Sequence, residues 1–345
     1  MTRPSQAVKL AATASAALLF SAVGASAFAQ DRYAAIVIDA RTNEVLHADQ
    51  ADEARYPASL TKMMTLYMLF EAIERDQITL DTPLVASRHA ASQPPSRLGL
   101  RRGNSITVDQ AIRALCVQSA NDVAVLVAER LGGTEARFAS RMTARARELG
   151  MSNTNFANAS GLPNPNQRST ARDIAVLSQA LWRDFPEYYH YFQTPSYTWC
   201  NHYGRNHNRL LGQVDGVDGI KTGYTNASGF NLASSAERDG HRVIAVVFGG
   251  ESGAARDAQV AYLIEGAFEE YDRRGDRSGA ATYVGLPTPS LNNQLGQGTV
   301  VNAAQSFGPS GAPLRGALAE SGQGDASRDT PIPASGATVA PNGAE

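Results

Sequence analysis

Lysine is almost missing from this chain. All but three of its 31 basic residues are arginine, and the three are Lys9, Lys62 and Lys221. Arginine stays protonated at any working pH, whereas an ammonium can be tuned to release its proton. A chain that meets nearly every need for positive charge with arginine therefore marks its few lysines as candidates for proton transfer. Cysteine is equally scarce, with Cys116 and Cys200 alone. Two cysteines cannot build a disulfide scaffold. Cys116 falls in an apolar helical run and Cys200 beside Trp199, so two buried free thiols are expected. Six histidines are present, without metal-ligand spacing, and nothing calls for a metal or cofactor. The formal net charge of −2 argues against a nucleic-acid surface.

The ends of the chain differ from its middle. Residues 1–29 read as a signal peptide: Arg3 and Lys9 precede an uncharged, alanine-rich stretch from Leu10 to Gly24, and Ala27-Phe28-Ala29 is a small-x-small cleavage site. The stretch is too short and too poor in large apolar residues to span a membrane well. Export, to the periplasm or a cell-wall space, is the expectation. Residues 275–345 hold 12 glycines and 7 prolines in 71 residues, a composition typical of disordered sequence. No C-terminal amphipathic helix is expected there, so there is no clear membrane anchor.

Between them, residues 30–274 are long enough for one large core. Tyr33–Asp39 reads as a buried strand, and Glu44–Ala48 as its partner across a turn. Ser59–Glu74 is apolar on nearly every face, the mark of a central helix. Helices are predicted over Val108–Val117, Asp122–Leu131 and Ser169–Trp182. Strands return at Gly229–Glu237 and Arg242–Gly249, joined across Asp239-Gly240, and an amphipathic helix follows over Ala254–Tyr271. Strands at both ends with helices between predict a mixed α/β (α+β) domain, an antiparallel sheet with a helical lobe inserted.

Three short segments carry chemistry. Ser59 and Lys62 lie three apart on one helix and so share a face. Ser59 falls in the first turn, where exposed N–H groups favour a developing oxyanion. A hydroxyl needs an adjacent base, and Lys62 can serve if burial and a second ammonium lower its pKa; Lys221 would be that second charge. Ser119-Ala120-Asn121 breaks two helices. Ser119 can relay a proton and Asn121 offers an amide to substrate, although Ser and Asn there also fit an ordinary helix cap. In Lys221-Thr222-Gly223 the glycine lets an extended substrate approach, and Lys221 and Thr222 can bind an anionic terminus; an exposed strand end is the plainer alternative.

Taken together, Ser59-Leu-Thr-Lys62, Ser119-Ala-Asn-Asp122 and Val217-Asp-Gly-Ile-Lys-Thr-Gly-Tyr-Thr225 resemble the motifs of the serine D-alanyl-D-alanine carboxypeptidases, the low-molecular-mass penicillin-binding proteins. Phe156-Ala-Asn158 with Gly161-Leu162, Asn206-x-Asn208, and Gly249-Gly250 leading to Arg256 extend the likeness over residues 30–272. The resemblance implies a β-lactamase/transpeptidase-like fold and removal of the terminal D-Ala from peptidoglycan stem peptides. It assigns Ser59 as nucleophile, Lys62 as base and Ser119 as proton relay. Backbone N–H groups of Ser59 and Tyr224 would form the oxyanion hole, while Asn121, Lys221, Thr222, Gly223 and Arg256 would hold substrate. β-lactams would acylate Ser59. Tyr224 and His207 stand where some relatives have His and Arg. An endopeptidase cutting cross-links shares these motifs. A β-lactamase is disfavoured, because no glutamate between Asn121 and Lys221 has the expected asparagine-bearing context. A non-catalytic peptidoglycan-binding protein is disfavoured by the intact nucleophile and base.

Overall fold

The structure, a computed structural model, describes residues 32–200 and 202–275. The expected leader, and all of the expected tail beyond Gly275, lie outside the described residues. Five strands form one antiparallel sheet: β1 (Ala34–Asp39), β2 (Val45–Asp49), β7 (Val217–Thr225), β8 (Gly229–Arg238) and β9 (His241–Gly250), in the order β2-β1-β9-β8-β7. The two ends of the body thus meet through β1 and β9, whose register runs from Ala34 opposite Phe248 to Asp39 opposite Val243.

Side chains alternate across a strand, and here both faces are covered. Ile36, Ile38, Ile244, Val246 and Phe248 point into the core shared with the helical lobe. Ala35, Val37, Val243, Ala245 and Val247 pack instead with Val260, Leu263 and Ile264 of α8 (Gly253–Arg274). A strand buried on both sides has no polar face to show, which is why Ala34–Ile38 is continuously apolar.

The inserted lobe contains α1 (Thr61–Glu74), the β3 (Pro83–Val85) and β4 (Ser105–Thr107) ribbon, α2 (Arg88–Ala91), α3 (Val108–Val117), α4 (Asn121–Gly132), α5 (Glu135–Glu148), α6 (Ala171–Asp184) and α7 (Pro186–Tyr189). α1 is the central helix: every residue from Thr61 to Phe70 is buried, as is Ala72. Its far end sits in an aromatic cluster, with Phe70 stacked on Tyr188 at 5.1 Å between ring centroids and Tyr67 edge-on to Phe185 at 4.8 Å. α3 starts with a reciprocal cap, the Thr107 hydroxyl accepting from the Gln110 N–H and the Gln110 side chain accepting from the Thr107 N–H; this satisfies two otherwise orphaned donors. No helix among the described residues is long and apolar enough to cross a membrane.

Three local readings change. Ser59 lies in a 3₁₀ turn, Ala58–Leu60, that leads into α1, and not in the α-helix itself. A hairpin of β5 (Ser196–Trp199) and β6 (His202–Arg205) follows α7, where no strand was expected. Cys116 is buried and free as expected, but Cys200 is free and exposed, because it follows β5 in the turn of the hairpin with φ of 51°. Apolar neighbours in sequence do not bury a residue at a reversal of the chain.

Phe70 is fully buried. Phe70→Ala should cost about 3–5 kcal/mol in chemical denaturation, whereas Val85→Ala, at a side chain 60% exposed, should stay within about 0.5 kcal/mol. Equal effects at the two positions would contradict the placement of α1 at the centre of the lobe.

Candidate active site

The start of α1, the α3–α4 loop and the edge strand β7 line one cleft of about 790 Å³. Ser59, Ser119, Asn121, Thr222, Gly223, Tyr224 and Arg256 all border it. The residues singled out from sequence are therefore brought together, with Lys62 and Lys221 buried behind the wall.

The turn bearing Ser59 is pinned from several sides. Asn231 on β8 donates through Nδ2 to the carbonyls of Tyr56 at 3.0 Å and Pro57 at 3.3 Å, and its Oδ1 accepts from the Gly249 N–H. Ala58 is held at φ of 48°, a conformation unfavourable for a residue with a Cβ. Two glycines close on this turn. A Cβ on Gly223 would sit 3.0 Å from the Ser59 nitrogen, and one on Gly161 only 1.8 Å from the Ala58 carbonyl oxygen. Gly161 also has φ of 88°, so both space and backbone forbid a side chain there.

Lys62 has no exposed surface. Its Nζ is 2.6 Å from the Ser160 carbonyl oxygen, 2.8 Å from Asn121 Oδ1 and 3.0 Å from Ser59 Oγ. The Asn121 amide is oriented by its other end, Nδ2 donating to the Pro94 carbonyl at 2.9 Å. Burial first, and then the charge of Lys221, push the Lys62 pKa well below its ordinary value; Asp122 pulls the other way. Lys221, also buried, donates to the Thr222 carbonyl at 3.1 Å. Desolvation lowers its pKa to about 8, with the Arg256 charge adding to the effect and Cys116 opposing it. Sequence spacing could not bring the two lysines together; the sheet edge does.

Ser119 takes φ of 58° at the break between α3 and α4. Its hydroxyl is buried at the cleft wall without a hydrogen-bond partner among the described residues. A clamp holds this strained loop: the Asn121 N–H donates to the Ser96 carbonyl at 2.7 Å, and the Ser96 hydroxyl donates to the Gln118 carbonyl at 2.6 Å. Asp122, fully buried, accepts from the N–H groups of Leu98, Gly99, Leu100 and Val123. The helix-cap alternative for Ser and Asn fails here, since Ala120 is the cap residue and no side chain caps α4.

The cleft also carries cationic side chains. Arg205 and Arg209 line it, together with His207 and Thr222. Crowding by protein atoms, followed by the charges of Lys221, Arg256, Lys62 and Arg209, lowers His207 to about 4, so it is neutral at neutral pH. Arg256 borders the cleft, but its donors are engaged: Nε with Asp257 at 2.8 Å, Nη2 with Asp257 at 2.7 Å and Nη1 with the Asn231 carbonyl at 3.0 Å. Tyr224 is half-exposed and stacks near Phe230, ring centroids 4.3 Å apart. Sequence reasoning missed the Ser160 carbonyl and the 94–100 clamp. A backbone oxygen has no residue type to betray it, and only Gly161 beside it gave a signal.

The close approach at Gly161 is testable. Gly161→Ala should destabilise by more than about 3 kcal/mol. Gly212→Ala, also at positive φ (74°) but with nothing within 4 Å of its Cβ, should cost only about 1 kcal/mol. Indistinguishable thermal midpoints for the two variants would refute the contact.

Comparison with known proteins agrees with this geometry. A family model described as D-alanyl-D-alanine carboxypeptidase matches residues 22–252. D-alanyl-D-alanine carboxypeptidase DacF of Bacillus subtilis is 34% identical over 255 residues, covering 72% of this chain and 64% of its own. The chain thus spans a little under two thirds of that relative's length. The crystal structure of D-alanyl-D-alanine carboxypeptidase DacD from Francisella tularensis superposes with a TM-score of 0.65 at 32% identity, over 67% of this chain and 69% of that one. Penicillin-binding protein D2 from Listeria monocytogenes, solved in its cefotaxime-bound form, gives a TM-score of 0.62 at 33% identity, over 67% of this chain and 95% of that one. The antiparallel sheet with an inserted helical lobe is the fold of these penicillin-binding proteins, and this chain belongs to the D-alanyl-D-alanine carboxypeptidase family.

Proposed function

We propose that this chain is a serine-type carboxypeptidase that removes the terminal D-Ala from peptidoglycan stem pentapeptides through an acyl-enzyme on Ser59, and that β-lactams acylate the same residue. One observation carries the reading: the set of partners around Lys62. A neutral amine has two N–H donors and one lone pair. Asn121 Oδ1 and the Ser160 carbonyl can only accept, so they take the two N–H bonds. The lone pair is then left for the Ser59 hydroxyl, 3.0 Å away. An ammonium would find three acceptors but no counter-ion in contact, at a side chain with no exposed surface. The arrangement suits an uncharged lysine acting as general base.

The steps follow from these roles. Ser59 Oγ attacks the carbonyl carbon of the penultimate D-Ala as its proton passes to Lys62. The oxyanion is received by the backbone N–H groups of Ser59 and Tyr224, an arrangement typically worth ~3–4 kcal/mol per donor. The C–N bond breaks, and the departing amine takes a proton relayed by Ser119, whose hydroxyl has no competing partner among the described residues. Water then attacks the ester with Lys62 again as base, releasing the shortened stem and restoring Ser59. Thr222 at the cleft wall receives the terminal carboxylate, and Lys221 buried behind it, with Arg205, Arg209 and Arg256, supplies the field that draws the anion there. Asn121 and Gly223 align the substrate backbone against β7. The leader-like residues 1–29 support export to the periplasm or cell-wall space, where such peptides occur.

D-Ala release from a synthetic pentapeptide should be measurable for the wild type and abolished in Ser59→Ala. Faster cleavage of cross-linked dimers than of the linear peptide would make the chain an endopeptidase instead. Lys62→Arg, which cannot shed its proton, should lower acylation by labelled penicillin about 10²–10⁴-fold; acylation at the wild-type rate would remove Lys62 as the base.

Two lysines in opposite protonation states give a sign to the pH profile. Activity needs Lys62 neutral, so kcat/KM rises as pH passes its lowered pKa. It needs Lys221 charged, so kcat/KM falls above about pH 8 as that proton is lost. A rate still climbing at pH 10 would contradict both assignments.

A further inference from the structure

The segment joining α5 to α6 contributes no reacting group, yet its polar side chains converge on Lys62. The Ser160 carbonyl and the Gly161 N–H are opposite ends of one peptide plane. The carbonyl end accepts from Lys62 Nζ at 2.6 Å. The N–H end donates to Asn158 Oδ1 at 2.7 Å, and the Ser160 N–H donates to the same oxygen at 3.2 Å. Asn158 Nδ2 donates to the Leu162 carbonyl at 3.0 Å, which fixes the amide's orientation. Gln167 stands behind it: Oε1 accepts from the N–H groups of Ala157 at 2.8 Å and Asn158 at 3.1 Å, while Nε2 donates to Thr61 Oγ1 at 2.9 Å. Thr61 immediately precedes Lys62. One turn further along α1, the Thr65 hydroxyl donates to the Ala159 carbonyl at 2.7 Å. Thr61, Thr65, Ser160 and Gln167 are all buried.

A peptide plane next to a glycine at φ of 88° has two accessible orientations, because glycine tolerates both. Flipped, it would aim an N–H at Lys62 in place of the carbonyl. The amine would then meet a donor where it needs an acceptor, and its lone pair would no longer be reserved for Ser59.

We propose that Asn158, braced by Gln167, is a positioning residue for the base: it locks the Ser160–Gly161 peptide plane so that the carbonyl takes one N–H of Lys62 and leaves the lone pair to Ser59. This rests on the reading of Lys62 as general base. The role is separable from substrate binding, since Asn158 does not border the cleft. The charged groups that act on Lys62 come from other elements, Lys221 on β7 and Asp122 on α4; His207 at the cleft is neutral at neutral pH, and Glu135 of α5 accepts the Ala159 N–H.

Stopped-flow acylation of the full chain by benzylpenicillin separates the pre-covalent dissociation constant from the acylation rate constant. In Asn158→Ala the rate constant should fall about 10–100-fold, with the dissociation constant within about twofold. Asn158→Asp keeps an oxygen for both N–H groups and should regain most of the rate. Its acidic limb should lie at higher pH, because the added anion favours charged Lys62. Thr61→Val, a milder change that cuts only the link to Gln167, should slow acylation about 3–10-fold. The proposal is overturned if Asn158→Ala acylates within twofold of wild type, or if Asn158→Asp is as slow as Asn158→Ala at every pH. Should Asn158→Ala fail to fold, a wild-type rate constant in Thr61→Val overturns it. A wild-type chain that never forms the adduct sinks the carboxypeptidase reading itself, before Asn158 enters.

Discussion

An amine sealed from water without an anion in contact cannot comfortably hold a proton, and the rest of this structure depends on that constraint. Lys62 is fully buried. The carboxylate that acts on it, Asp122, has its oxygens occupied by four backbone N–H groups. Its charge still favours protonated Lys62, but burial and the charge of Lys221 at the sheet edge outweigh it. Desolvation and like charge favour the same protonation state. The pair divides the work: one lysine gives up its charge so that it can accept a proton, and the other retains charge at neutral pH to meet an anion.

The fold delivers this arrangement by using elements distant in sequence. β1 and β9 join the two ends of the body, which fixes β8 and then β7 at the border of the helical lobe. α1 runs through the middle of that lobe, and its buried, apolar surface leaves little freedom for the turn at its start. Asn231 on β8 ties the same turn to the sheet, and Gly223 and Gly161 allow β7 and the 158–162 loop to close on it from two directions. The left-handed conformations at Ala58 and Ser119 cost of order 1–3 kcal/mol each, and each is surrounded by hydrogen bonds that leave no easy alternative. Strain of this kind persists where the surroundings over-determine the backbone.

Much of this was legible in the sequence. The scarcity of lysine pointed to Lys62 and Lys221, and side-chain periodicity placed the sheet strands and the central helix. What escaped notice shares a physical character. The Ser160 carbonyl is backbone, so its role depends on which way a peptide plane faces. Asp122 reads as an ordinary helix-start carboxylate, and only the fold brings residues 98–100 to it. Arg256 sits at the cleft as the motifs implied, but its engagement with Asp257 and the Asn231 carbonyl depends on three-dimensional neighbours. The exposure of Cys200 depends on a hairpin reversal that composition does not report. In each case the missing information was direction or long-range contact, which local pattern does not carry.

The scarcity of lysine makes the protonation of this pair directly measurable. With lysine labelled by ¹³C at Cε, the body of the chain contributes only two signals, and a Lys62→Arg variant assigns them. The account predicts that Lys62 loses its proton at lower pH than Lys221, which follows at about 8. Two signals titrating together near the free-lysine value of about 10.4 would contradict it.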